Sequence, residues 1–157
     1  MLTTILFIIM VTVFLAYVLF IWIKYEIQPS ISESYYVLEK NNDKSWLFIA
    51  FCWLFAFPAM IIGNSYLMLF AGAGIVLVGA AAMMHTFPTR TVHMIGAVGG
   101  MILGCLAMIL QYHMWYLVAG VAVAILIAGL LDKKHLMWWS ELAIFTAITI
   151  ALGSKIF

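Results

Sequence analysis

Apolar residues run through this chain in six long stretches: Leu2–Ile23, Trp46–Ile62, Tyr66–Met84, Val92–Leu110, Met114–Leu131 and Leu136–Leu152. Polar residues collect between them. A helix rises 1.5 Å per residue and the hydrocarbon core of a bilayer is about 30 Å thick, so a span needs roughly 17–25 apolar residues. All six stretches meet that length. The breaks are short: Gly63-Asn64-Ser65, Thr86-Phe87-Pro88-Thr89-Arg90, Gln111-Tyr112-His113 and Asp132-Lys133-Lys134-His135. Loops this short force antiparallel neighbours. The pattern predicts an all-α fold, a polytopic membrane bundle of six transmembrane helices with short loops, occupying residues 1–157 as a single domain. The boundary between the second and third stretches rests on the least sequence.

Composition agrees with that reading. The chain has 157 residues, of which 68% are hydrophobic and 8% charged, and its mean hydropathy is +1.19. Soluble domains are about a quarter charged, so water is not the solvent for most of this surface. Trp22, Tyr25, Trp46, Tyr66, Tyr112, Trp115, Tyr116, Trp138 and Trp139 stand at stretch ends, the headgroup level that amphipathic rings favour. The first stretch lacks a basic leader, has no small-x-small cleavage site and is longer than a signal h-region of about 7–15 residues. It is expected to be retained.

Charge sets the expected orientation. Lys24, Lys40, Lys44, Arg90, Lys133 and Lys134 fall in the odd-numbered loops, and Lys155 alone falls on the other side. Cytoplasmic loops carry the Lys/Arg excess. The expected location is the cell (cytoplasmic) membrane, with N- and C-termini outside. A net charge of +1 gives no reason to expect a nucleic-acid partner. Cys52 and Cys105 sit in apolar runs and read as small buried hydrophobes.

Small residues locate the packing. Gly96, Gly100 and Gly104 recur every fourth residue, and the preceding stretch carries Gly72, Gly74, Gly79 and Ala80-Ala81-Ala82. Repeats of this kind let helix backbones approach closely in lipid. The third and fourth spans are therefore expected to cross at that face. His93, three residues before Gly96, shares it and should point inward.

Candidate chemistry gathers on the cytoplasmic side. The longest polar run holds Ser32 and Glu33. His85 ends the third span, His93 opens the fourth, and Arg90 lies between them. Glu141 is the one acid inside a span, about 10 Å beyond Lys134. An ionisable group at that depth is costly facing lipid, about 2.5–3.5 kcal/mol on insertion scales. It should face inward, with His85, His93 or Arg90 as partner. Ser32, Glu33, His85, Arg90, His93 and Glu141 are the candidate binding residues, expected around one cytoplasm-facing cavity. The ordinary alternative for each is structural hydrogen bonding. His85, His93 and Glu141 could also ligate zinc, although no HExxH or HxxxH spacing occurs. His113 reads as interfacial and His135 as solvated.

The run Pro29-Ser30-Ile31-Ser32-Glu33 after the first span resembles the Pro-x-Ile-Ser-acid motif of the Frag/DRAM/Sfk family. It is also similar to the Ile-Ser-acid motif of uncharacterised prokaryotic six-span membrane proteins, where Phe-Pro follows the third span and a His opens the fourth, as Phe87-Pro88 and His93 do here. The resemblance implies six helices and a role in lipid organisation or remodelling. A more distant similarity is to the alkaline ceramidase superfamily, which uses Ser, Asp and three His around zinc. This chain lacks the late HxxxH and departs from that pattern. The reading that follows is a non-enzymatic, multi-pass protein that binds a lipid headgroup or partner protein through its cytoplasmic polar face. The alternatives are a small intramembrane metal-dependent lipid hydrolase and a structural subunit of a membrane complex or homo-oligomer.

Overall fold

The computed structural model describes residues 1–82 and the backbone from 88 onward, with side chains from 91. Among the described residues every regular element is helical, with no strand. In chain order the helices are α1 (Leu2–Tyr25), α2 (Ser34–Lys40), α3 (Trp46–Gly63), α4 (Tyr66–Ala82), α5 (Pro88–Leu106), α6 (Trp115–Leu131) and α7 (Leu136–Gly153). A π-helical turn, Ala107–Gln111, prolongs α5, and a 3-10 turn, Lys133–His135, leads into α7. Among the described residues four segments are long and apolar enough to cross a membrane: Leu2–Tyr25, Trp46–Gly63, Thr91–Gln111 and Lys133–Gly153. α4 and α6 have 17 residues each, about 25 Å of helix, short of a hydrocarbon core of roughly 30 Å.

Boundaries follow local chemistry. α3 ends where Asn64 takes the left-handed conformation, φ 45°, which Asn tolerates better than most residues. Ser65 Oγ then accepts the Met68 N–H at 3.1 Å, a side-chain cap for the first turn of α4. This is why the second and third apolar stretches are separate helices. α3 runs through Pro58 unbroken. α5 opens on Pro88, a first-turn position where the missing N–H costs nothing. α2 was expected to be loop. It forms because Ser34, Tyr35 and Leu38 put one face onto the core.

The core ties α1, α3 and α7 through aromatic rings. Tyr17 stacks on Phe51 at 4.7 Å, and Phe55 meets Phe145 edge-on at 4.8 Å. Offset-stacked and T-shaped pairs of this kind are the favoured geometries. α4 and α5 make the most extensive helix contact. A Cβ on Gly74 would lie 2.6 Å from the Gly96 carbonyl oxygen, and one on Gly96 would lie 2.7 Å from the Gly74 carbonyl oxygen. Gly100 abuts the Ala71 carbonyl. The expected glycine crossing is thus present at Gly96 and Gly100. A Cβ on Gly104 would lie 3.2 Å from Ile148 of α7 and 3.9 Å from Ala71 of α4. α6 lies at the periphery, with α7 as its principal neighbour and only Val121 and Ala128 buried.

Candidate functional site

The residues after α1 do not extend outward. Ile31 is 1% exposed and sits in the core cluster. A buried backbone amide needs a partner, and the Ile31 N–H donates to Glu141 Oε2 of α7 at 2.5 Å. The Ile31 carbonyl accepts from the Ser34 hydroxyl. Ser34 is itself fully buried and pairs with the Tyr17 hydroxyl of α1 at 2.6 Å. A continuous hydrogen-bonded chain therefore runs Tyr17, Ser34, Ile31, Glu141 and joins α1, α2 and α7. Three residues before the motif's serine, Ser32, the Pro29 carbonyl accepts the Trp138 backbone N–H at 3.1 Å. α7 thus holds this segment at two points.

Ser30 and Ser32 shape the turn itself. Ser30 Oγ accepts the Glu33 N–H at 3.0 Å and lies 3.0 Å from Ser32 Oγ. This is half of a capping box, the serine of S-x-x-E satisfying the backbone three residues on. Ser32 turns its amide and hydroxyl toward the Glu141 carboxyl. Glu33 is exposed. Beneath Ser32 lies a cavity of about 50 Å³ between α3, α4, α5 and α7, with Phe48, Cys52, Val78 and Met101 among its walls. That space suits a water molecule or two. It is far below the roughly 300–1,000 Å³ of small-molecule sites.

Of the six candidate binding residues, Ser32 and Glu141 share this cavity. Glu141 faces inward, 7% exposed. Its hydrogen-bond partner is the Ile31 amide, where His85, His93 or Arg90 was expected. The reason is that Ile31 enters the core and brings an amide that must be satisfied. His93 is half-buried at the start of α5, beside the Val78 backbone and within electrostatic reach of Glu33. His93 does not line the cavity. His85 and the Arg90 side chain lie outside the described residues. Among the described residues no three His, Cys, Asp or Glu side chains converge on one point; His85, one of the three candidate zinc donors, is not among those residues.

His135 corrects another expectation. Its Nδ1 lies 2.9 Å from Asp132, and the side chain is 16% exposed, so it is paired and not free in solvent. The Trp139 indole N–H donates to the same carboxylate at 2.9 Å. These two contacts, the indole first, hold the Asp132 carboxyl below its ordinary pKa. Likewise Lys24 bonds Asp43 at 2.8 Å, and the Tyr25 hydroxyl also donates to Asp43. His113 is exposed, in a left-handed turn with φ 57°.

The groups missed by residue-type reasoning are Tyr17, Ser34 and the Ile31 backbone. The Ser30-Ile31-Ser32-Glu33 spacing before Tyr35 and Leu38 is a helix-start signal, and it could have announced that this run folds inward as turn and helix. Comparison with protein-family models, curated proteins and solved structures finds no match to the chain.

Proposed function

We propose that this is a multi-pass cytoplasmic-membrane protein of six spans, with both termini outside, that binds a lipid headgroup at its cytoplasmic polar end. The observation that carries the reading is the split between Ser32 and Glu33. Glu141 draws the first loop into the bundle, so Ser32 closes the small cavity while Glu33 stays exposed within reach of His93. A carboxylate, an imidazole and a hydroxyl then share one mouth at the end where five of the chain's lysines lie. Arg90, in the first turn of α5, is assigned to the same mouth from its sequence position. The cavity is too small for a headgroup, which supports binding at the mouth and not inside.

The turns support six spans rather than four. α3 and α4 are separated by two residues, and α6 and α7 by a short polar turn. A chain that crosses on α3 and again on α5 must return along α4. Local bilayer thinning and the flanking aromatics Tyr66, Trp115 and Tyr116 accommodate the shorter helices. Binding is preferred to hydrolysis because Glu141 is engaged by backbone in a space that admits little beyond water.

The test is native mass spectrometry of the full chain purified in mild detergent, comparing wild type with Glu33→Gln and His93→Ala. Retained lipid should fall in both variants. Equal lipid in all three, or a copurifying protein in place of lipid, would reject headgroup binding at this mouth.

A further inference from the structure

The opposite end of the bundle carries a second polar feature. Lys155, just beyond α7, donates to the Gly63 carbonyl at 2.9 Å and lies 4.2 Å from the centre of the Tyr112 ring. The ammonium is thereby fixed in place. Partial desolvation lowers its pKa from the ordinary lysine value. Among the described residues it makes no ion pair with an acidic side chain. The six acids are Glu26, Glu33, Glu39, Asp43, Asp132 and Glu141. All belong to the end where α1 finishes and α3 and α7 begin. Glu141, the one furthest along α7, precedes Lys155 by 14 residues, about 21 Å of helix.

Lys155 borders a recess of about 650 Å³, shared with Asn64, Ser65, Gln111, Tyr112 and the apolar Leu69. The hydroxyls are already engaged. Tyr112 donates to the Gly63 carbonyl at 3.0 Å, and Ser65 caps α4. The amides of Asn64 and Gln111 are exposed and make no side-chain hydrogen bond among the described residues. Lys155 has three N–H donors and uses one on Gly63. The recess therefore offers a positioned cation and two free amides, with no carboxylate in competition. Met60 and Leu69 give it an apolar side, which adjoins the exposed face of α4 at Tyr66 and Leu69.

We propose that this recess is a phosphate-group site, filled by the headgroup of an anionic phospholipid whose chains lie along Leu69 and Tyr66. Anionic oxygens suit the donors, because hydrogen bonds to ionised acceptors are the strong ones. The volume favours a headgroup over a bare ion, since it falls in the range of organic-ligand sites. The site is separate from the Glu33 mouth, so either can fail without the other.

The test measures binding of short-chain dihexanoyl phosphatidylglycerol to the full chain in detergent, beside dihexanoyl phosphatidylcholine and inorganic phosphate. Phosphatidylglycerol should bind saturably and phosphatidylcholine should not. Lys155→Met should weaken binding about tenfold or more, as loss of a charge-assisted contact does. Asn64→Gly with Gln111→Ala should weaken it several-fold, while Lys133→Ala with Lys134→Ala leaves it unchanged. Glycine keeps the left-handed backbone of position 64, and among the described residues the two amides support no internal bond, so this double variant decides the matter if Lys155→Met does not fold. Saturable inorganic phosphate with the same Lys155 dependence would uphold the site and make free anion its ligand. Equal binding of phosphatidylcholine, or undiminished binding in the Asn64/Gln111 variant, would overturn it.

Discussion

Glu141 lies within α7 and Lys155 two residues past its end, near opposite ends of the bundle, and their surroundings differ. Glu141 is buried, and its carboxyl meets the Ile31 amide while Ser32 crowds the same oxygens. Lys155 is partly exposed, bonds one carbonyl and faces an open recess. The Gly63 carbonyl that Lys155 touches has a second donor in Tyr112, whereas the Ile31 amide has one acceptor. Loss of a sole partner leaves a buried polar group unsatisfied, and loss of a shared one does not. The contrast separates an ionisable group that holds the fold from one available to a ligand.

The largest expected effect follows directly. Glu141→Leu strands the Ile31 amide in the core and should cost about 1–3 kcal/mol. Glu141→Gln should cost less, since an amide oxygen still accepts. Unfolding in mixed micelles checks the order wild type, Gln, Leu. A Leu variant as stable as wild type would mean that the first loop is held by apolar packing of Ile31 alone.

Tyr17→Phe probes the far end of the same chain of bonds. Ser34 keeps its bond to the Ile31 carbonyl and loses only the tyrosine. The expected loss is about 0.5–1.5 kcal/mol, with more for Ser34→Ala, which cuts both links. If Tyr17→Phe matched Glu141→Leu, the network would be acting as one unit. A double-mutant cycle between the two would then give a coupling well above zero.

Lys155→Met is the opposite pole of the comparison. Tyr112 continues to satisfy Gly63, so stability without ligand should change by no more than about 0.5 kcal/mol, as at an ordinary surface position. A loss as large as that of Glu141→Leu would make Lys155 a structural cap of α3 and erase the distinction between the ends.

Much of the scaffold was legible in the residue pattern, because lipid imposes simple rules. Helix limits near Leu2, Trp46, Tyr66, Leu131 and Leu136 follow from apolar length and flanking aromatics. The Gly96/Gly100 crossing follows from a four-residue repeat, and the inward turn of Glu141 follows from the cost of a charge in lipid. What stayed hidden was which group Glu141 meets. Side-chain types suggested histidines, but the partner is a backbone amide, which every residue carries and no sequence marks. His135 was misread for a related reason. Two adjacent lysines suggest solvent, while its partner Asp132 at i−3, itself held by the Trp139 indole, comes within reach only once the 3-10 turn is formed. α2 escaped notice because seven residues are too few for a clear period.

The smallest effects should come from pH, with the same sign but in different windows at the two ends. The Asp132 carboxyl is depressed by the Trp139 indole and by His135. Below its unfolded pKa of about 3.9 the unfolded chain binds more protons than the folded one. Stability from this group is therefore complete above that value and is lost as pH falls through the lower folded pKa. Lys155 is depressed by desolvation. Its unfolded form also holds the proton more tightly, so stability rises as pH climbs toward the lysine range near about 10.4. Unfolding midpoints of wild type and Asp132→Asn should differ at pH 7 and converge in acid. Wild type should gain on Lys155→Met only in alkali. Convergence of the Asp132 pair at neutral pH would show that the indole and imidazole contacts do not hold the carboxylate. A flat alkaline profile would show that Lys155 is as fully hydrated as any surface lysine, and the recess would then lack the partly desolvated cation on which its anion preference depends.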